Sequence, residues 1–424
     1  MLLVRLAWRS LWRNKRRTFI TMAAVIFAIA LSIIQRGIQY GTYAETIKTA
    51  VRASTGYLQI QKIGYNKNPT LQKSFVMTRE ITDVIKRIPG ITGTSPRIQT
   101  DALLSYRDQS LGIMIMGVSP KTELLVTDFQ KKISGGHFLQ ADSAVNYRGS
   151  PEIVVGYKLM ENLGAQIGDS IVVLAQDFDG VLGNMFVRIV GTFKTGSDEF
   201  DRMGAFMSIS DLQNFLGMGD RINAIAISVR NQDDVEETAT RLNDAFAVRA
   251  LYPSTEKPNG LVALSWQELM PQLKQTIELD NSGGVLFIII LLTVVGFGIL
   301  NTVLMSITER FREYGVMLSL GMSQGKLVAA VALEIFFMLI LGFIIGNGIG
   351  AAVNAYWVSH PIMIGGDIAQ WYKEYGFAPM LVSSLSIKIF TGSTLTILGI
   401  SIVAAAYPLW RVLKLEPLKG IRYT

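Results

Sequence analysis

The stretch ITERFREYGVMLSLGMSQGKL, residues 307–327, places a group of charged residues between two long apolar runs. These charged residues form a short amphipathic pattern and are Glu309, Arg310, Arg312 and Glu313. A hairpin between two membrane helices would need only a turn at this point. We therefore interpret the segment as a short helix outside the hydrocarbon that a partner binds. Composition alone leaves ordinary solvation of these charges at the membrane surface as an equal alternative.

The apolar runs on either side predict a membrane protein. The chain has 424 residues, of which 50% are hydrophobic, and its mean hydropathy is +0.34. This is too apolar for an ordinary soluble domain and too polar for a bundle that lies wholly in the membrane. A helix that spans the hydrocarbon needs about 20 apolar residues. Stretches of this kind occur at residues 18–39, 284–306, 327–350 and 389–411.

The first apolar run follows a basic segment and has, at residues 28–30, the Ala-x-Ala form of a signal-peptide cleavage site. The run continues past this site and three more runs follow, so we favour an uncleaved anchor. The basic segment, residues 1–17, has arginines near every fourth position with Trp8 and Trp12 among them. This pattern predicts a cytoplasmic helix that lies in the membrane interface, as a topology anchor or as a mechanical elbow.

The distribution of lysine and arginine predicts the orientation of the chain. Basic residues are concentrated in residues 1–17, in residues 307–326 and in the tail at 412–424, whereas the loop at 351–388 contains only Lys373 and Lys388. The positive-inside rule then places both termini and the 307–326 segment in the cytoplasm and the 351–388 loop in the periplasm. The same bias accounts for the net charge of +7 without a nucleic-acid partner.

Residues 40–283 lie outside the membrane in this topology, and their pattern is mixed α/β. Turn residues separate strand-like runs at residues 57–61, 111–118, 152–156, 170–175, 186–193 and 224–229. Apolar residues at helical spacing predict helices at 78–88 and 232–246. We therefore predict an α-helical membrane protein with four transmembrane helices and a large mixed α/β extracytoplasmic domain inserted between spans one and two. Within that domain we expect two subdomains, with about 125–222 inserted.

The residues needed for common catalytic or metal sites are scarce. There is no cysteine, and His137 and His360 are far apart in sequence, which argues against a metal cluster or a catalytic triad. The string at 321–327 is one residue short of a phosphate-binding loop and lacks its Ser or Thr. We expect no enzymatic activity and no cofactor in this chain, so that ATP and its magnesium would be bound by a partner.

Two features remain inside the predicted third span. Gly342, Gly346 and Gly350 recur at every fourth position, which lets another helix approach closely, either within one subunit or at a seam between moving helices. Glu334 is a carboxylate within the same span. Such a charge suggests either a role in transport or a structural ion pair.

Residues 301–327, NTVLMSITERFREYGVMLSLGMSQGKL, resemble the signature of the FtsX-like, MacB/LolC/LolE type of ABC-transporter permease. The residues that match the spacing of this signature are Asn301, Glu309, Arg310, Glu313, Gly315 and Gly321. One departure is Leu318-Ser319, where the family usually has Arg-Ala. The end of the chain is similar to the family's ending, with Pro408, Arg411, Pro417 and Arg422. Residues 151–173, PEIVVGYKLMENLGAQIGDSIVV, resemble a stretch of the family's outer domain.

The resemblance implies that residues 307–326 are a coupling helix docked on a separate ABC ATPase subunit. Two permease chains, identical or paralogous, would assemble with two ATPase chains. ATP would bring the ATPases together, press on the coupling helices and move the outer domain as a lever, with no passage through a central pore. The coupling residues implied by this resemblance are Glu309, Arg310, Arg312, Glu313, Gly315 and Gly321.

The resemblance also implies a multi-pass protein of the bacterial inner membrane, in contact with membrane lipid. The favoured function is release of lipoproteins from the inner membrane by a LolC/LolE-type permease that passes them to a periplasmic carrier. An alternative is a MacB-like permease that works with a periplasmic adaptor to export peptides, toxins or drugs. Because residue 1 opens directly on the N-terminal helix, we expect no ATPase fused before it. A hypothesis of another class is a membrane-anchored scaffold or sensor without transport.

Overall fold

The computed structural model describes residues 2–13, 15–140, 150–196, 198–248, 260–374 and 379–414. The chain divides into two compact units. The helical unit contains Met1–Tyr43, Thr276–Met363 and Met380–Thr424. The α/β unit contains Ala44–Gln275 and Ile364–Pro379. Pro417 and Arg422, and most of the predicted tail at 412–424, lie outside the described residues.

The α-helices of the described ranges are labelled in chain order. They are α1 (Leu2–Arg13), α2 (Lys15–Ala50), α3 (Arg79–Arg87), α4 (Pro120–Glu123), α5 (Tyr157–Leu163), α6 (Asp198–Met203), α7 (Ile209–Phe215), α8 (Val235–Val248), α9 (Trp266–Leu269), α10 (Pro271–Glu309), α11 (Phe311–Ser319), α12 (Gln324–Ser359), α13 (Gly366–Glu374) and α14 (Ile387–Leu413). A short π-helix, Val51–Thr55, follows α2, and 3-10 turns occur at Phe129–Lys132 and Gln232–Asp234.

The strands are labelled in the same way. They are β1 (Leu58–Lys62), β2 (Phe75–Val76), β3 (Ile91–Tyr106), β4 (Gln109–Val118), β5 (Ile133–Gly136), β6 (Glu152–Gly156), β7 (Ser170–Gln176), β8 (Leu182–Phe193), β9 (Gly204–Ser208), β10 (Arg221–Ile222), β11 (Ala224–Val229), β12 (Leu261–Ser265), β13 (Ile362–Met363) and β14 (Met380–Leu381). The strands predicted at 152–156 and 224–229 are confirmed as β6 and β11, and the predicted helices at 78–88 and 232–246 as α3 and α8.

Four helices of the described chain are long and apolar enough to cross a membrane. They are Thr18–Ala50, Pro271–Glu309, Gln324–Ser359 and Ile387–Leu413, with lengths of 33, 39, 36 and 27 residues. Each is longer than the about 20 residues that a span needs. The prediction of four apolar helices is confirmed, while the exact limits of each span stay predictions.

The core of the helical unit is formed by α2, α10, α11, α12 and α14. Ile29, Ile33, Ile299 and Ile307 are fully buried in this core. Polar contacts add to it: Ser32 bonds Ser393 at 3.1 Å across α2 and α14, and the Asn354 amide of α12 donates to the carbonyl of Ile33 at 3.0 Å. Hydrogen bonds of this kind join helices where lipid supplies no hydrophobic drive for association.

The α/β unit is built on a sheet of ten strands in the order β12-β1-β11-β3-β4-β9-β6-β8-β5, with β7 paired to both β3 and β8. Strand β11 is buried along its whole length, which explains its continuous apolar sequence. The sheet runs through strands of the flanking segments and of the central segment alike. The predicted subdomain boundary at about 125–222 stays a prediction.

An ion pair lies almost wholly inside the α/β unit, between β3 and α4. Arg97 donates from Nε to Glu123 Oε2 at 3.1 Å and from Nη2 to Glu123 Oε1 at 2.6 Å, and the two side chains are 2% and 1% exposed. Thr127 donates to the same carboxylate at 2.7 Å, and Arg97 also donates to the carbonyl of Ser54. The pair is therefore hydrogen-bonded on both sides, as a buried pair must be to persist.

Candidate functional site

The charged stretch between the second and third apolar helices folds as a short helix with sharp ends. Helix α10 ends at Glu309, and Arg310 has a non-helical backbone (φ −106°, ψ 10°) before α11 begins. We call residues 310–323, which join α10 to α12, the connecting segment.

Gly321 terminates helix α11. Its φ of 94° lies in the left-handed region that glycine adopts without strain. The N–H of Gly321 donates to the carbonyl of Leu318 and the N–H of Met322 to that of Met317, each at 3.1 Å. This pair of bonds is the Schellman arrangement, which satisfies the last carbonyls of a helix and turns the chain away. Gly321 thus shapes the connecting segment.

Helix α11 has a buried face and an exposed face. Tyr314 and Gly315 are buried on the inner face. The exposed face carries Arg312 and Val316 and continues into Leu320, the residue after the helix, which is 83% exposed. These three residues follow the spacing of one helical face. Val316 and Leu320 thus give this face an exposed apolar strip next to a charged residue.

Four charged side chains of alternating sign connect α1, the connecting segment and α12. Arg13 Nη2 of α1 contacts both oxygens of Glu313, at 2.8 and 2.6 Å. Arg310 donates from Nε to Glu313 at 3.3 Å and from Nη1 to Glu334 Oε2 of α12 at 2.9 Å. Ser10 of α1 donates to the same Glu334 oxygen at 2.8 Å. We call Arg13, Glu313, Arg310 and Glu334 the charge chain.

The charge chain is exposed at one end and buried at the other. The side chains of Arg13 and Glu313 are 56% and 41% exposed, whereas those of Arg310 and Glu334 are 15% and 16% exposed. The Arg310 guanidinium also lies 5.2 Å from the centre of the Tyr314 ring. The arrangement places Glu334, the carboxylate within the predicted third span, in an ion pair.

The pKa values of the two middle members favour their charged forms. Partial burial acts to raise the pKa of the Glu313 carboxyl, but hydrogen bonds from Arg13 and then Arg310 outweigh it and hold this pKa below its ordinary value. Burial likewise acts to lower the pKa of Arg310, but Tyr314 and Glu334 nearby, with the bonds to both carboxylates, raise it. Both groups are therefore ionised at neutral pH.

Helix α1 packs on α12 through its apolar face. Ala7 and Leu11 are buried, and Leu11 forms a small core with Met22 and Met338. The Trp8 ring meets Phe337 edge-on with centroids 5.8 Å apart. The predicted amphipathic helix is present, and Arg13 at its end reaches the connecting segment.

The three glycines of α12 face α2. A Cβ built on Gly342 would lie 2.8 Å from Val25 Cγ1, and one on Gly350 would lie 2.8 Å from Ile33 Cγ2. A Cβ on Gly346 would lie 2.9 Å from Ile29 Cβ. These contacts lie within one subunit, so the glycines allow α2 and α12 to approach closely.

The six residues predicted to couple to an ATPase therefore fall into different environments. Glu309, Arg312 and Gly321 are exposed, Gly315 is buried, and Arg310 and Glu313 belong to the charge chain. Sequence reasoning missed Ser10 and the ion-pairing role of Arg13, which it placed only in a basic stripe. No local pattern could find them, because Arg13 and Glu313 are 300 positions apart. Within the described ranges, no cluster of three or more His, Cys, Asp or Glu could hold a metal ion.

Two family models match the chain. Residues 18–245 match the MacB-like periplasmic core domain, and residues 285–417 match the FtsX-like permease C-terminal region. Together with the four apolar helices and the α/β unit, these matches define a membrane-embedded transporter subunit. The chain belongs to the FtsX-like, MacB-type family of ABC-transporter permeases. Membership of this family implies an ABC ATPase partner and often a second permease chain.

Curated relatives of the chain have similar lengths or extend beyond it. It is 21% identical to the lipoprotein-releasing system transmembrane protein LolC of Neisseria meningitidis, over 97% of this chain and 96% of that one. It is 22% identical to the uncharacterized ABC transporter permease YknZ of Bacillus subtilis, over 99% and 98%. It is 21% identical to the macrolide export ATP-binding/permease protein MacB of Bdellovibrio bacteriovorus, over 98% of this chain and 61% of that protein.

Proposed function

We propose that this permease releases lipoproteins from the inner membrane for transfer to the outer membrane, driven by ATP hydrolysis in a separate ATPase subunit. The observation that carries the proposal is the similarity to a lipoprotein-releasing permease over 97% of this chain and 96% of the relative. In this proposal the chain binds no nucleotide itself, and the partner ATPase holds ATP and magnesium.

The proposed topology places both termini and the connecting segment in the cytoplasm. The α/β unit would then be periplasmic, inserted between the first two spans, and would move when the ATPases close. The positive-inside distribution of Arg5, Arg9 and Lys326 supports this orientation. A second permease chain, identical or paralogous, would complete the membrane part.

The exposed face of α11 is the surface we assign to the ATPase. Leu320, Val316 and Arg312 lie together on it, and Glu309 precedes it at the end of α10. An apolar centre with charged residues at its rim is the usual anatomy of a protein interface. Burial of Leu320 and Val316 under a partner would supply the hydrophobic part of the affinity.

Copurification tests this docking surface. The permease would be expressed with its neighbouring genes, solubilised in detergent, and analysed for a bound ATPase by mass spectrometry. Leu320→Asp and Arg312→Glu should release the ATPase, because each places an unfavourable charge in the interface. Leu279→Asp is the matched control. Leu279 is also a strongly exposed leucine, at 74%, and it lies near the other end of α10, about 45 Å from Glu309 by helical rise. If no ATPase copurifies even with the wild-type permease, the scaffold or sensor hypothesis would be favoured.

Depletion of the chain in its host tests the substrate class. We expect lipoproteins destined for the outer membrane to accumulate in the inner membrane, because the proposed permease would extract them from it. Membrane fractions would be separated by density and probed for acylated proteins. Unchanged lipoprotein distribution would overturn the proposal of lipoprotein release.

Efflux is the second candidate function. The match of residues 18–245 to the MacB-like periplasmic core model and the similarity to a macrolide export protein favour it. In that case depletion would raise cellular accumulation of a macrolide or peptide and leave lipoproteins in place. Copurification of a periplasmic adaptor would support the same alternative.

A further inference from the structure

We propose that Ser10 and Arg13 of α1 are positioning residues that hold the connecting segment, and that Glu313 acts within the permease and not as a contact to the ATPase. This inference rests on the proposed coupling of the connecting segment to an ATPase. It assigns the N-terminal helix to the path that transmits force from the docking face into the membrane.

The first support is the place of Arg310. It is the single non-helical residue between α10 and α11, so its backbone sets the angle between these helices. Its guanidinium is held from two sides, by Glu313 on α11 and by Glu334 on α12. A guanidinium with five donors in a fixed plane binds two carboxylates only in a narrow range of positions. The angle between α10 and α11 is therefore tied to the position of α12.

The second support is that α1 holds both carboxylates. Arg13 binds Glu313 through both carboxylate oxygens, and Ser10 binds Glu334 through Oε2, the same oxygen that Arg310 uses. Ser10 and Arg13 lie three positions apart and so project from neighbouring parts of the same helix. Since α1 also packs on α12 by its apolar face, a displacement of α11 would be passed to α1 and α12 together.

The third support is that the residues of α11 lie in two different environments. Glu313 is engaged by two arginines of its own chain, while Arg312, Val316 and Leu320 lie on the exposed face. An ATPase that bound Glu313 would compete with these two arginines for its carboxylate. The exposed face can be covered without doing so.

The exposure of the Arg13–Glu313 pair makes the inference testable. Surface ion pairs contribute little to folding stability. Loss of this pair should therefore leave the protein folded and the ATPase bound, while the transmission of movement is lost. The chain has no cysteine, so one introduced cysteine gives a single labelling site per permease. Asp83→Cys on the exposed side of α3 would report the distance between the α/β units of two identical permease chains. If the second chain is a paralogue, one cysteine introduced in its own outer domain supplies the other label.

The experiment compares spin-label distances in the purified permease–ATPase complex, with and without ATP and vanadate. Arg13→Glu and Glu313→Arg should each retain the ATPase and its hydrolysis but lose the ATP-dependent distance change. The conservative variant Arg13→Lys, which keeps a cation facing Glu313 and leaves the bond from Arg310 to Glu313 in place, should keep it. Arg9→Glu is the matched control, because Arg9 is exposed on the same helix, four residues before Arg13, and should behave as wild type.

Each outcome decides between the two proposals. A complex that fails to assemble, or that shows no ATP-dependent change in the wild type, counts against the proposed function. If the complex assembles and Arg13→Glu keeps the full distance change, the positioning inference is overturned. Release of the ATPase by Glu313→Arg, while Arg13→Glu leaves it bound, would also overturn it by placing Glu313 at the partner interface.

Discussion

At the scale of single residues, two ion pairs of the described chain combine burial with opposite charge and further hydrogen bonds. Arg310 and Glu334 satisfy this condition at the cytoplasmic side proposed for the helical unit, and Arg97 and Glu123 satisfy it inside the α/β unit. Each pair joins segments distant in sequence. The energetic consequence is asymmetric, because removal of one partner leaves the other buried and uncompensated.

Glu123→Ala should destabilise the protein strongly. It would leave the Arg97 guanidinium buried beside an empty site, and loss of one member of a buried pair costs about 3–5 kcal/mol. Chemical denaturation of the full-length protein in detergent, followed by the fluorescence of its tryptophans, would measure the change. The double variant Arg97→Met/Glu123→Leu should be much less damaging, since no charge remains. Equal loss in the single and double variants would contradict this account.

Asp128 gives the α/β unit a stability that depends on pH. The hydrogen bond from Arg52, at 2.7 Å, holds the pKa of Asp128 below its ordinary value. Partial burial opposes this effect, and Lys131 at 3.0 Å adds to it. A lowered pKa in the folded state means that the stabilisation is present above about pH 3.9, the ordinary pKa of aspartate. It is lost as the pH falls through the lowered pKa.

Asp128→Asn should therefore be less stable than the wild type near neutral pH and equal to it in strong acid. Thermal unfolding midpoints of both proteins across an acid pH series would show the two curves converge. A difference that stays constant with pH would show that the carboxylate charge is not its source.

At the scale of elements, periodicity and composition predicted most helices and strands but not their partners. The four apolar helices, α3, α8, β6 and β11 follow from residue patterns. The Schellman ending at Gly321 was not foreseen, although glycine after an amphipathic run is a signal for it. The pairing of β7 with both β3 and β8, and the contact of α1 with the connecting segment, depend on tertiary packing that local pattern does not encode.

The approach of α2 to α12 predicts a sharp difference between two neighbouring glycines. Gly346→Ala would place a methyl group 2.9 Å from Ile29 Cβ and 3.1 Å from the carbonyl oxygen of Ile26. Such overpacking costs about 1–3 kcal/mol. Gly348→Ala is the control, because no atom lies within 4 Å of its added Cβ. Alanine there should be neutral or slightly stabilising.

Thermal inactivation of the two variants in detergent would measure this difference. We expect a lower midpoint for Gly346→Ala alone. Equal behaviour of the two variants would mean that α2 and α12 do not approach closely at Gly346.

At the scale of the whole molecule, the chain combines a helical membrane unit and an α/β unit in a family of ABC-transporter permeases. Sequence reasoning reached the family because its signature lies in one continuous stretch, residues 301–327. It did not separate the residues of that stretch by role. Glu313 and Arg310 match the signature as well as Glu309 does, yet only the folded chain reveals that they bind Arg13 and Glu334.

ATP-driven release in a reconstituted system tests the central claim most directly. The permease, its copurified ATPase and a fluorescent triacylated lipoprotein would be incorporated in liposomes, and lipoprotein transferred to a soluble carrier would be measured. The account predicts release with ATP and none with a non-hydrolysable analogue, and loss of release in the Leu320→Asp variant. Retention of the lipoprotein in the bilayer while the complex hydrolyses ATP would contradict lipoprotein release as its function.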